Sequence, residues 1–106
     1  MADKNILLVD AAGMSISLLA KKMDDYSHQN DLGYSVTGVA DSDGPSKIAE
    51  LEPVAIMIAP QVSYLFDKYN KEYGDRIPVG KIEMVQYGMM DGKKVLEASI
   101  AVENSK

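Results

Sequence analysis

Residues 5–17 have the sequence NILLVDAAGMSIS, an apolar run that ends at a carboxylate and continues through small residues. The run Asn5–Val9 has no alternation of polar side chains, which predicts a β-strand buried on both faces. A helix is predicted to begin at Met14 or Ser15, because apolar side chains recur after that point at spacings of three and four. The stripe consists of Ile16, Leu19, Ala20, Met23 and Tyr26.

Strands and helices continue to alternate along the rest of the chain. Further strands are predicted at 34–39, 54–58 and 78–82. Further helices are predicted to begin at Pro45, at Gln61 and after the capping residue Asp91. The order β-α-β-α-β-α-β-α predicts an α/β three-layer sandwich, in which a four-stranded parallel sheet has helices on both faces.

The character of each strand predicts its place in the sheet. The first and third strands are wholly apolar and should be central, whereas the second and fourth are partly polar and should be edges. Right-handed crossovers then favour the strand order 2-1-3-4. Ligands bind such sheets at the carboxyl ends of the strands between which the winding reverses. The segments 10–13 and 59–61 are predicted to lie there.

Composition narrows the classes of function. The chain has 106 residues, which suits one domain spanning residues 1–106. Its net charge of −5 argues against nucleic-acid binding. It contains no cysteine, which excludes disulfides and thiol chemistry. Without a signal-peptide pattern, a membrane-length apolar run or a large apolar surface, we expect a cytoplasmic protein that is monomeric by itself.

The turn after the first strand has the features of a phosphate-binding loop. Unpaired backbone N–H groups and a positive dipole end are expected where the helix begins, and small residues let the backbone close around an anion. Serine hydroxyls can add donors. An ordinary strand–helix turn capped by Ser15 explains the same residues, so both interpretations stay open. The loop behind Asp10 comprises Ala11, Ala12, Gly13, Met14, Ser15, Ile16 and Ser17.

Three motifs resemble the lactose/cellobiose-type enzyme IIB component of sugar phosphotransferase systems (PTS). Residues 6–17 are similar to the family pattern in which Cys-(Ser/Ala)-Ala-Gly-Met-Ser-Thr-Ser follows the first strand. Ala59-Pro60-Gln61 matches a family Gly/Ala-Pro-Gln, and residues 87–92 are close to Tyr-Gly-x-x-Asp-Gly. Length and element order agree too, so the resemblance covers essentially the whole chain.

The resemblance implies a phosphocarrier without a cofactor. A histidine of the partner IIA component would donate a phosphoryl group to the loop, which would pass it to a sugar bound by the membrane IIC component. Asp10 stands where the family carries its phosphorylated cysteine, and Ile16 stands where it carries a threonine, which removes one hydroxyl donor. The side chains expected to face the crevice and the partners are Pro60, Gln61, Tyr64 and Tyr87.

Asp10 decides what this chain can do within such a system. A carboxylate carries one negative charge and two oxygens, so it partly imitates a phosphoryl group, which carries about −1.5 to −2 charges and three acceptor oxygens. We therefore predict a phosphomimetic, transfer-incompetent form. The alternative is a non-catalytic IIB-like binding or regulatory module. A receiver-type phospho-aspartate domain is disfavoured, because the metal-binding carboxylates it needs are absent; no metal site is predicted, since His28 has no second ligand.

Overall fold

The computed structural model describes residues 3–105. Four parallel strands form one sheet in the order β2-β1-β3-β4, which confirms the predicted strand order. The strands are β1 Lys4–Asp10, β2 Tyr34–Ala40, β3 Ala55–Ile58 and β4 Val79–Lys81. The segments that follow β1 and β3 consequently emerge side by side at the carboxyl edge of the sheet.

Burial explains why β1 and β3 are central. Residues 6–9 are fully buried, and all four residues of β3 are buried as well. A strand with no exposed side chain must be covered by helices on both faces, which an edge strand cannot achieve as completely. In β2, buried Tyr34, Val36 and Val39 are separated by less buried residues, as the mixed pattern predicts.

Helices cover the two faces of the sheet. Helices α1 and α5 contact each other, and α5 also packs against β3 and β4. Across the sheet, the connection from β1 to β2 runs in one direction, whereas the connections from β2 to β3 and from β3 to β4 run in the other. Because each of these crossover connections is right-handed, α1 lies on one face of the sheet and α2 and α3 lie on the other. No helix within residues 3–105 is long and apolar enough to cross a bilayer. The helices are α1 Met14–Gln29, α2 Gly44–Leu51, α3 Leu65–Tyr73, α4 Met84–Gly88 and α5 Gly92–Glu103.

The predicted start of α3 at Gln61 is wrong. Residues Pro60–Val62 form a tight 3₁₀ turn, and the α-helix begins only at Leu65. The Val62 amide donates to the Ala59 carbonyl at 3.1 Å, which is the short-range bonding of such a turn. Val62 is buried within this turn. Its apolar side chain therefore fitted the spacing of the apolar residues of α3, although Val62 precedes the helix.

Helix α4 lies in a region predicted to be a loop. Its start is fixed by Glu83, whose carboxylate accepts the amides of Val85 and Gln86 at 3.1 Å each. The helix has five residues, of which only Tyr87 is buried. A single buried side chain produces no periodicity, so the pattern of apolar residues could not reveal this helix.

Two polar residues influence helix boundaries differently. The cap predicted at Asp91 is confirmed, because its carboxylate accepts the Lys94 amide at 3.1 Å. Helix α1 continues through Gln29, past the polar residues that begin at Ser27. Ser27 is fully buried and its hydroxyl oxygen accepts the Tyr34 amide at 3.0 Å, so this polar side chain joins the helix to β2.

Candidate functional site

Three loops meet at the carboxyl edge of the sheet. Asp10 is the last residue of β1, and the backbone amide of Ala59, just after β3, donates to the Val9 carbonyl at 2.9 Å. The amide of Ile82, just after β4, donates to the Ile58 carbonyl at 2.8 Å. The segments following β1, β3 and β4 therefore surround one crevice, in which Asp10 is half-buried.

Both carboxylate oxygens of Asp10 accept hydrogen bonds. Oδ1 accepts the amide of Ala11 at 2.7 Å, and Oδ2 accepts the hydroxyl of Tyr87 at 3.0 Å. Within residues 3–105, the backbone amide of Ala11 and the phenol of Tyr87 are the hydrogen-bond partners of this carboxylate. The phenol comes from α4, on the opposite side of the crevice.

Beyond Ala11, the loop keeps a run of free donors. The backbone amides of residues 12–16 donate to no acceptor within residues 3–105, and the Ser17 amide is the first to bond, reaching the Gly13 carbonyl at 3.3 Å. These amides lie at the start of α1, where the helix dipole is positive. The loop is thus an electropositive cradle beside the Asp10 carboxylate, suited to phosphate-like oxyanions.

Gly13 shapes the cradle. It precedes α1 with φ of 81°, a left-handed conformation that costs a side-chain-bearing residue about 1–2 kcal/mol. A Cβ at this position would also lie 3.2 Å from the Ala40 amide nitrogen. Gly13 occupies the N-cap position without any side-chain hydrogen bond, so the interpretation in which Ser15 caps the helix is wrong.

The hydroxyls and the apolar residue of the loop face different ways. The Ser17 hydroxyl donates to the Gly13 carbonyl, so it closes the first turn of α1 instead of pointing into the cradle. Ile16 is fully buried in the core and does not line the loop. Ser15 is exposed, and it lowers the pKa of Tyr87 slightly against the larger effects of burial and Asp10.

Tyr87 is the site residue whose role the sequence missed. It was expected to face the crevice and the partners; it lines the crevice, but only 5 % of it is exposed and its hydroxyl donates to Asp10. Burial, the hydrogen bond to Asp10 and the charge of Asp10 together raise the pKa of Tyr87 to about 12, partly offset by Ser15. The phenol therefore keeps its proton at neutral pH and acts as a donor. The only sequence signal was its place in the Tyr-Gly-x-x-Asp-Gly motif.

Large apolar side chains are exposed around the crevice. Met14 is 83 % exposed and Tyr64, which was predicted to face partners, is 72 % exposed. Pro60 and Gln61, predicted to line the crevice, form a groove of about 180 Å³ together with Met84, Tyr87 and Gly88. We define the apolar rim as the exposed residues Met14, Tyr64, Met84, Val85 and Met89.

A larger concavity lies away from Asp10. It measures about 540 Å³ and is lined in part by Ile48, Pro53, Tyr73 and Arg76, at the ends of α2 and α3. Its charged lining residues are the carboxylate of Glu52 and the guanidinium of Arg76, and no set of hydrogen-bond donors converges on one point. The concavity therefore shows no preference for a particular class of ligand. Within residues 3–105, no group of three or more His, Asp or Glu side chains is placed to hold a metal ion.

Known proteins are similar to this chain in both sequence and fold. The family described as PTS system, lactose/cellobiose-specific IIB subunit, matches residues 5–98. The galactose-specific EIIB component of Lactococcus lactis subsp. cremoris and the cellobiose-specific EIIB component of Lactococcus lactis subsp. lactis are each 36 % identical over 103 residues, covering 93 % of this chain and 95 % of theirs. The solution structure of the cellobiose-specific IIB component from Borrelia burgdorferi is similar with a TM-score of 0.77 and 28 % identity, covering 99 % of this chain and 95 % of that one.

Proposed function

Because this chain belongs to the lactose/cellobiose-specific IIB family of the sugar phosphotransferase system, we propose that its Asp10 loop is the phosphoryl-carrying station of such a B component. The donor is a histidine of the IIA component, and the acceptor is a sugar bound by the membrane IIC component. One observation carries the proposal: the carboxylate at the end of β1 lies beside the free amides of residues 12–16.

The geometry suits phosphoryl transfer. This reaction needs positioning and stabilisation of charge more than covalent help from the protein, and preorganised N–H donors supply both. A thiolate at a helix N-terminus would also have a lowered pKa and remain nucleophilic. The loop lies at the surface, with Ala11, Ala12 and Met14 exposed, so two partners can approach it in turn.

Asp10 makes the chain as it stands an imitation of the phosphorylated state. Its Oδ2 stands in for a phosphoryl oxygen and its charge has the right sign, but it supplies only two oxygens. Since the chain has no cysteine, it forms no thiophosphate anywhere. The form with Asp10 therefore docks with partners without transferring phosphate.

The apolar rim is the proposed docking surface. Methionine side chains adapt to different partner shapes, which suits a carrier that binds IIA and IIC alternately. Exposed apolar side chains grouped around one crevice are typical of an interaction site. We propose that the protein works in the cytoplasm and associates there with the membrane-bound IIC component.

The test restores the family residue. Asp10→Cys is incubated with phosphoenolpyruvate, the general phosphotransferase proteins and the IIA component, and its mass is measured. We expect a gain of one phosphoryl group, which must lie on the new thiol because the parent has no cysteine. The parent chain, as the control, should gain none. A folded Asp10→Cys protein that stays unmodified would refute the carrier function.

The absent thiol supports one rival, a IIB-like module that binds without carrying phosphate. That rival predicts an unmodified Asp10→Cys protein that still binds the IIA component. A receiver-type function predicts instead that the parent is labelled by acetyl phosphate and Mg²⁺. We expect no such labelling, because the end of β3 is apolar and supplies no carboxylate next to Asp10.

A further inference from the structure

The hydrogen bond between Tyr87 and Asp10 connects residues 77 positions apart in sequence. The buried ring of Tyr87 can move little, so its hydroxyl has a fixed position above the end of β1. The capping of α4 by Glu83 fixes the helix that carries the ring. A rigidly held donor that points at the acceptor position has the geometry of preorganised charge stabilisation.

We propose that Tyr87 is a positioning residue for phosphoryl transfer, whose hydroxyl donates to the anionic group on residue 10 and holds it against the loop. The inference rests on the proposed carrier function and adds a residue to it. In the phosphorylated protein, a phosphoryl oxygen takes the place of Asp10 Oδ2 as the acceptor.

The protonation of Tyr87 agrees with a donor role. Because its pKa is raised to about 12, the phenol is neutral at physiological pH and does not act as a base. No proton needs to leave Tyr87 during transfer, so the residue contributes a hydrogen bond alone. Loss of one hydrogen bond to a charged group lowers the equilibrium constant or rate constant that depends on this bond by about tenfold.

The chain offers a closely matched control in Tyr34. Tyr34 is also buried, its hydroxyl also donates to a carboxylate, that of Glu103, and its pKa is likewise raised to about 12 by burial and by Glu103. It is the first residue of β2 and so lies at the amino ends of the strands, whereas Asp10 lies at their carboxyl ends. Tyr34→Phe therefore removes the same kind of bond without touching the site.

The experiment compares Tyr87→Phe with Tyr34→Phe, each in the Asp10→Cys background. We expect Tyr87→Phe to lower kcat for phosphoryl transfer from the IIA component about tenfold while KM changes less than about twofold, since the ring still fills its place. Ser15→Ala should give a smaller loss of kcat. Tyr34→Phe should leave both constants at the Asp10→Cys values. Equal kcat for the two Phe variants would overturn the proposal and leave the carrier function standing.

A second measurement is independent of transfer. The ionisation of Tyr87 is followed by ¹³C NMR of its ring in the parent and in Asp10→Asn. Removal of the negative charge should lower the midpoint by roughly one pH unit. If Asp10→Cys is never phosphorylated, the carrier function fails by itself, and this measurement then decides whether Tyr87 responds to residue 10. An unchanged midpoint would disprove the contact.

Discussion

Gly38→Ala should strain the contact between α1 and the edge strand that supports the loop. A Cβ at residue 38 would lie 2.7 Å from the carbonyl oxygen of Ile16 and 2.9 Å from its carbonyl carbon. Ordinary contact begins near 3.4 Å, so the first turn of α1 must move away by about 0.7 Å. The opposing atoms are backbone, and Ile16 and Leu19 anchor this part of the helix fully buried in the core. The strain cannot be relieved by a side-chain rotation.

The cost follows from this geometry. Overpacking against a fixed backbone costs about 2 kcal/mol, within the range of about 1–3 kcal/mol for enlarged core residues. For a domain of this size, that lowers Tm by roughly 8–16 °C and the urea midpoint by roughly 1 M. The Ser17 hydroxyl, which lies 3.3 Å from the Gly38 carbonyl, should be displaced together with the end of the loop.

Urea unfolding and amide NMR spectra test this prediction. Gly88→Ala is the matched control, because no atom lies within 4 Å of the added Cβ. This control should be neutral or stabilised by up to about 1 kcal/mol. In Gly38→Ala, the amide resonances of residues 11–17 should shift while those of α3 stay in place. A midpoint equal to that of the parent would refute the steric argument.

Two further predictions concern pH and docking. Hydrogen bonding to the Asp24 carbonyl, the Asp24 charge and Asp3 raise the pKa of His28 above 6.5, so its stabilisation is complete below about pH 6.5 and is lost as pH rises through the raised value. The stability advantage of the parent over His28→Gln should therefore be constant below about pH 6.5 and shrink as the pH rises further in urea unfolding, and a difference that does not shrink at alkaline pH would contradict it. Met89→Asp, in the Asp10→Cys background, should raise KM for the IIA component about five- to thirtyfold at unchanged stability, because Met89 is 74 % exposed on the apolar rim. Leu32→Asp, 41 % exposed in the turn after α1, is the control, and an equal rise in KM there would exclude the rim as the docking surface.

The charge at residue 10 has two different kinds of partner. Ala11 is its neighbour in the chain and bonds to it locally, whereas Tyr87 approaches from α4, the helix that follows β4. The amides of residues 12–16 donate to no acceptor within residues 3–105 and remain available to a larger anion.

Much of the fold was determined by local pattern. The apolar runs of β1 and β3 predicted central strands, because only residues covered on both faces can be uniformly apolar. The strand order then followed from handedness, and it placed Asp10 and Ala59 in the same crevice before any geometry was known. The motifs at residues 6–17, 59–61 and 87–92 added the resemblance to the family, which the pattern of strands and helices alone does not identify.

The sequence by itself thus determined the strand order and the position of Asp10 at the carboxyl end of β1, because each depends on residues adjacent in the chain or on a repeating pattern. Only the tertiary structure decided that Tyr87 bonds to Asp10, that Ile16 is core, and that Gln61 lies in a tight turn. Those facts depend on distances between segments far apart in sequence. A five-residue helix with one buried side chain leaves no periodic signal from which such a distance could be inferred.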